Sequence, residues 1–194
     1  MFAYCNNNPV SNSDPSGHWL VEAIAAVAIV TGLLLSGCSA NQYGAAKRYK
    51  ETSSPNFNCY AYALRETEWR YVGGYPEAVT DYNVENVAAM VMDDVKASGR
   101  SIRPLESFDS PIEQNEYRIA LRTGVEDYHF MIQHSDGSWS HKPSWLPSRL
   151  ADGNNPSDMS WDMPYFDTNK YGLLQLMYHE NYYDSATLYF AISP

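Results

Sequence analysis

The spacing of apolar and polar residues changes several times along the chain, and each change marks an element. Trp19 to Leu35 is apolar except for Glu22 and Thr31, which is the lower length limit for a membrane span. No Lys or Arg precedes it, so it fails as a secretory signal even though Leu35-Ser36-Gly37-Cys38 mimics a lipoprotein box. A membrane-contacting segment and a buried helix both stay open. Asn41 to Glu51 is polar and reads as a linker or exposed helix. Asn58 is a good N-cap for a short helix starting at Cys59, supported by Ala61, Leu64 and Glu66 and ended by Val72-Gly73-Gly74. Val84, Val87, Ala88, Val91 and Val95 follow the helical period up to Gly99.

Beyond this point the period is two. Tyr117 to Arg122 alternates as a strand, and Asp127 to Lys142 predicts a hairpin turning at Asp136-Gly137. Its first strand puts Tyr128, Phe130 and Ile132 on one side and Asp127, His129 and Met131 on the other. Residues 143–170 are rich in Pro, Gly, Asn, Asp and Ser and predict a long surface loop. Thr187 to Ile192 predicts a last strand. Helices first and antiparallel strands afterwards give an α+β fold.

Composition sharpens this picture in two ways. Of the 194 residues 44% are hydrophobic and 19% charged, which describes a folded chain. The net charge of −10 argues against a nucleic-acid partner, since phosphate binding needs a basic surface. Three cysteines, far apart, make no disulfide framework, and all read as thiols.

The candidate chemistry comes from Cys59, His129 and His141. A thiol attacks as thiolate, which a helix start and a nearby imidazolium both stabilise. Cys59 has the first, and His129 on the hairpin is the candidate for the second. His141, across the turn, is the candidate third group that orients the His129 ring, with Asp127 and Asp136 as weaker ones. The Cys59 N–H with an Asn56 or Asn58 amide is the candidate oxyanion hole. No cofactor and no metal ligand set is expected, because no closely paired ligands accompany these residues. His134 and His179 read as surface residues. Tyr178, Tyr182, Tyr183 and Tyr189 read as packing and rim residues.

Two resemblances extend this reading. The run Ala3-Tyr4-Cys5-Asn6-Asn7-Asn8-Pro9-Val10, followed by Asp14-Pro15-Ser16-Gly17-His18, resembles the end of an Rhs-repeat core, where a variable toxin tip begins. The resemblance implies an autoprocessing junction at Asp14, Pro15, Gly17 and His18, with the cut after His18. Asp14 matches one of two catalytic aspartates, and the other is absent from this sequence. It also implies a parent Rhs shell, a cognate immunity protein, delivery into a target cell, and a role in that delivery for residues 19–35. The helix-start Cys59, strand His129 and next-strand His141 resemble the papain-like fold, especially NlpC-like cysteine peptidases. That implies a peptidase or amidase acting on a protein or peptidoglycan substrate. Transglutamination or deamidation would use the same triad. Rival readings are a non-enzymatic membrane-inserting toxin acting through residues 19–35, and a metallonuclease using His129, His141 and Asp136. The expected layout is 1–18 core remnant, 19–50 hydrophobic segment and linker, and 51–194 toxin domain.

Overall fold

The computed structural model describes residues 42–194. The Rhs-like junction, the apolar run, Cys5 and Cys38 lie outside them. Among the described residues no helix is long and apolar enough to cross a membrane. The fold is α+β: two helices on an antiparallel sheet.

Helix α1 spans Cys59–Ala63 and is capped by Asn58, whose Oδ1 accepts the Ala61 N–H at 3.0 Å. It is shorter than expected. Val72–Gly74 forms a separate 3-10 turn with Gly73 at φ 77°. Helix α2 spans Val84–Ala97 and starts at Asn83, whose side chain accepts from Glu85 and Asn86 N–H. Its buried stripe Val84, Val87, Ala88, Val91 and Val95 is the one the 3.6-residue period requires.

Eight strands follow: β1 Ser101–Leu105, β2 Tyr117–Thr123, β3 Tyr128–Gln133, β4 Trp139–His141, β5 Arg149–Leu150, β6 Met163–Thr168, β7 Leu174–His179 and β8 Leu188–Ser193. The main sheet has the order β1-β8-β2-β3-β4-β5 with antiparallel neighbours, and β6 and β7 pair separately. β1 was not anticipated because it carries Pro104; its place at the sheet edge tolerates a missing N–H. β2 and β3 are buried on both faces. One face packs Ile119, Leu121, Phe130 and Ile132 against both helices, and Tyr60 stacks on Phe130 at 4.9 Å. The other face packs Ala120, Met131 and Trp139 against Trp161, Tyr183 and Tyr189.

Two expectations need correcting. Residues 143–170 are not a featureless surface loop: they contain β5, a 3-10 turn at Pro156–Asp158, and β6. Buried Arg122 holds that turn, donating to the carbonyls of Pro156, Ser157 and Met159. Residues 42–50 are not a free linker either. They lie along the domain as a strap: Ala45 N–H donates to Glu116 C=O, Ser135 N–H to Lys47 C=O, Tyr49 hydroxyl to Ser148 C=O, and Arg65 to Ala45 C=O. The compact unit accordingly begins near Asn41 rather than at residue 51.

Candidate active site

The site is assembled where α1 meets the start of β3. The Asn58 cap sets the first turn, so Cys59 and Tyr60 N–H groups face the Cys59 sulfur. The thiol lies against the β3 main chain, donating to Tyr128 C=O at 3.8 Å, with the Phe130 N–H also directed at it. This edge of β3 is open because pairing with β4 begins only at Met131.

His129 projects from β3 onto the other side, between Tyr183 and His141. Its ring stacks on Tyr183 at 5.1 Å and meets the edge of Trp161 at 6.0 Å. Met131 pairs directly with His141, so His129, two residues before Met131, shares its face and is diagonal to His141. The result is an Nε2–Nδ1 hydrogen bond of 2.7 Å between His129 and His141. Among the described residues His129 Nδ1 has no hydrogen-bond partner, and the sealed side-chain polar atoms without partners are on Arg65 and Trp139. The His129 ring lines a cavity. That cavity, about 320 Å³, is lined by Cys59, His129, Asp127, Trp69, Trp145 and Tyr183 among others.

The structure thus brings Cys59 and His129 to one cavity wall, with His141 behind His129. It does not join the thiol to the imidazole by a hydrogen bond among the described residues. The electrostatics also reverse the expected thiolate. Cys59 is 8% exposed, and burial, with the Asp127 charge adding to it, pushes its thiol up to about 12. The three backbone N–H groups oppose that shift without overcoming it, and a five-residue helix supplies little dipole beyond them. Burial first, then His141 and Arg149, hold His129 well below the ordinary imidazole range. Burial and Arg149 bring His141 down to about 3. At neutral pH the resting site holds a neutral thiol and two neutral imidazoles.

The remaining candidates take other roles. Asn58 spends its amide on the helix cap and on Arg70 C=O at 2.6 Å. Asn56 is exposed, and among the described residues it contributes only its backbone N–H, to Ser54 Oγ. Asp127 does not orient His129 directly; it accepts from Tyr128 N–H at 2.8 Å and Tyr183 O–H at 2.7 Å. It therefore fixes the tyrosine on which the His129 ring rests. Asp136 sits in the turn at the far end of the hairpin, bonded to Ser138, and is not brought to His129. Among the described residues no three His, Cys, Asp or Glu side chains converge as a metal-binding group. His134 is buried, not on the surface, and bonds Lys47 C=O at 3.1 Å and Ser140 Oγ at 2.6 Å. His179 is exposed, as expected, and stacks on Tyr165.

No known relative places this site. Neither a family model, a curated protein nor a solved structure matches the chain. Sequence reasoning missed Arg149, whose Nε–H donates to His141 Nε2 at 2.9 Å. A lone arginine among prolines carries no signal of this, because only the β4–β5 pairing of His141 with Arg149 creates it.

Proposed function

We propose that residues 42–194 form a papain-like, NlpC-like thiol hydrolase, the toxin tip of an Rhs-repeat protein delivered into a target cell. The observation that carries the reading is a shared cavity: Cys59 and His129 both line it, and His129 is backed by His141 through its far nitrogen. That leaves Nδ1 as the nitrogen for the thiol proton. In the reactive form Nδ1 is unprotonated and takes that proton as sulfur attacks the carbonyl carbon of a peptide or amide. The oxyanion meets the Cys59 N–H. His129 then gives the proton to the leaving amine, and water releases the acyl group from sulfur. An amine in place of water would give transamidation, and a glutamine side chain as substrate would give deamidation. Protein and peptidoglycan amides are the substrate classes, and an immunity protein is the partner such a tip requires.

The test is growth inhibition by the full chain expressed inside and exported from bacteria, beside Cys59→Ala and His129→Ala. Both substitutions should abolish inhibition, and His141→Ala should reduce it. Undiminished toxicity of Cys59→Ala would sink the thiol reading and favour membrane insertion through residues 19–35.

A further inference from the structure

The hydrogen-bond chain ending at His129 has a direction, and the direction is set by its outer end. An arginine guanidinium has donors and no acceptor. Arg149 Nε–H at 2.9 Å therefore requires a lone pair on His141 Nε2. A neutral His141 with that lone pair carries its proton on Nδ1. The same Nδ1 is 2.7 Å from His129 Nε2, so it donates, and His129 Nε2 accepts. A neutral His129 accepting at Nε2 carries its own proton on Nδ1, on a ring that lines the cavity shared with Cys59.

We propose that Arg149 is a positioning residue that holds His129 in the Nδ1–H tautomer and so keeps the thiol pair silent until the guanidinium leaves His141. The proposal rests on the thiol hydrolase reading for its consequence, though not for the tautomer itself. With Nδ1 protonated, His129 has no lone pair for the Cys59 proton, and the thiol keeps its bond to Tyr128 C=O. Once Arg149 swings away, the proton on His141 can move to Nε2. His141 Nδ1 then accepts from His129 Nε2–H, and His129 Nδ1 becomes the base. No bond to carbon changes; two imidazoles exchange tautomers.

The geometry lets Arg149 move. It is exposed on β5, a two-residue strand at the sheet edge. Its other contacts are weak: a 3.3 Å bond to the Tyr178 hydroxyl and a guanidinium 5.1 Å from the Tyr178 ring. Beside it a cleft of about 450 Å³, lined by Tyr49, Glu51, Leu146 and Leu176 among others, gives the side chain space to leave.

The experiment is two-bond ¹H–¹⁵N spectroscopy of the full chain labelled at histidine, with His129 and His141 resolved by substitution. Wild type should show both rings as Nδ1–H. Arg149→Met, which removes the donor at similar length, should turn both to Nε2–H. It should also raise the rate of Cys59 alkylation by iodoacetamide at pH 7 by about tenfold or more. Arg149→Lys, which still donates, should keep the wild-type tautomers. A wild-type spectrum with His129 as Nε2–H would overturn the proposal without any variant. So would unchanged tautomers in a folded Arg149→Met. Tautomers that invert while Cys59 reactivity stays constant would confirm Arg149's hold on the rings and reject Cys59 as their partner.

Discussion

Two histidine relays leave neighbouring residues of β4 on opposite faces of the sheet, and they end differently. On the helix face Tyr62 O–H donates to Ser140 at 2.7 Å, Ser140 O–H donates to His134 Nε2 at 2.6 Å, and His134 Nδ1–H donates to Lys47 C=O at 3.1 Å. That direction is forced because a carbonyl only accepts. On the other face the relay runs from Arg149 through His141 to His129. The first ends on main chain that is itself tied down, since Lys47 C=O also takes the Ser135 N–H. The second ends on an exposed side chain. Equal chemistry thus becomes a clasp in one place and an adjustable element in the other, according to what stands at the end of the line.

The sharpest way to break the comparison is to remove the clasp's anchor. A chain starting at residue 51 loses the strap and its hydrogen bonds to Glu116, Ser135, Ser148, Arg65 and His134. At about 1 kcal/mol each, the loss is about 5 kcal/mol, comparable to the whole stability of many domains. A chain starting at residue 42 should melt cooperatively in calorimetry and one starting at 51 should not. Equal melting of the two would show the strap to be passive.

His134→Ala is the next largest effect. It leaves the Ser140 hydroxyl with Tyr62 in place of two partners and removes a ring lying 5.2 Å from Tyr49. A loss of about 2–3 kcal/mol is expected in urea unfolding, with the His129 tautomer unchanged.

Acid should act on both relays together. Burial lowers the folded-state affinity of His129, His134 and His141 for protons. Below about pH 6.5 the unfolded chain binds protons that the folded chain refuses, so stability is full above that pH and falls beneath it. Each ring contributes up to about 1.4 kcal/mol per pH unit. Urea midpoints at pH 7 and 5.5 read the slope, and a flat profile would mean that the rings are open to solvent.

Cys59 gives a smaller, opposite signature. Its thiol, pushed up to about 12, should react with iodoacetamide at pH 8 more slowly than free glutathione does. Faster reaction than glutathione would show a thiolate already formed. Least of all, Tyr178→Phe removes only the 3.3 Å contact to Arg149. Its stability change should stay within about 0.5 kcal/mol, with at most a slight rise in Cys59 alkylation.

What was legible in the sequence depended on short-range rules. The α2 stripe between Asn83 and Gly99, the Asn58 cap and the Asp136-Gly137 hairpin each obey a local period or turn chemistry, and each is present. His129 and His141 were legible as neighbours because a hairpin fixes which residues face each other. The strap, β1 and the β6–β7 hairpin were not. The first is a turn at 42–45 followed by irregular backbone, with no period to read; the others carry Pro104 and Pro164 where the period should run. The state of the thiol was illegible for another reason. A helix start argues for an anion, but burial beside Asp127 decides otherwise, and burial is a property of the assembled chain.

Gly137 carries a consequence that reaches both faces at once. It sits in the hairpin turn at φ 86°, and a Cβ there would press on the Tyr43 hydroxyl. Any side chain would be strained at this φ and would have to push Tyr43 aside, so glycine holds the turn to this shape. β4, only three residues long, has little other means of counting its position against β3. A slip by one residue would send Ser140 to the face of His129 and His141 to the face of His134. Both relays would fail in the same molecule, with no partly wired form between. The glycine therefore works as an index mark, making correct wiring an all-or-none property of the fold.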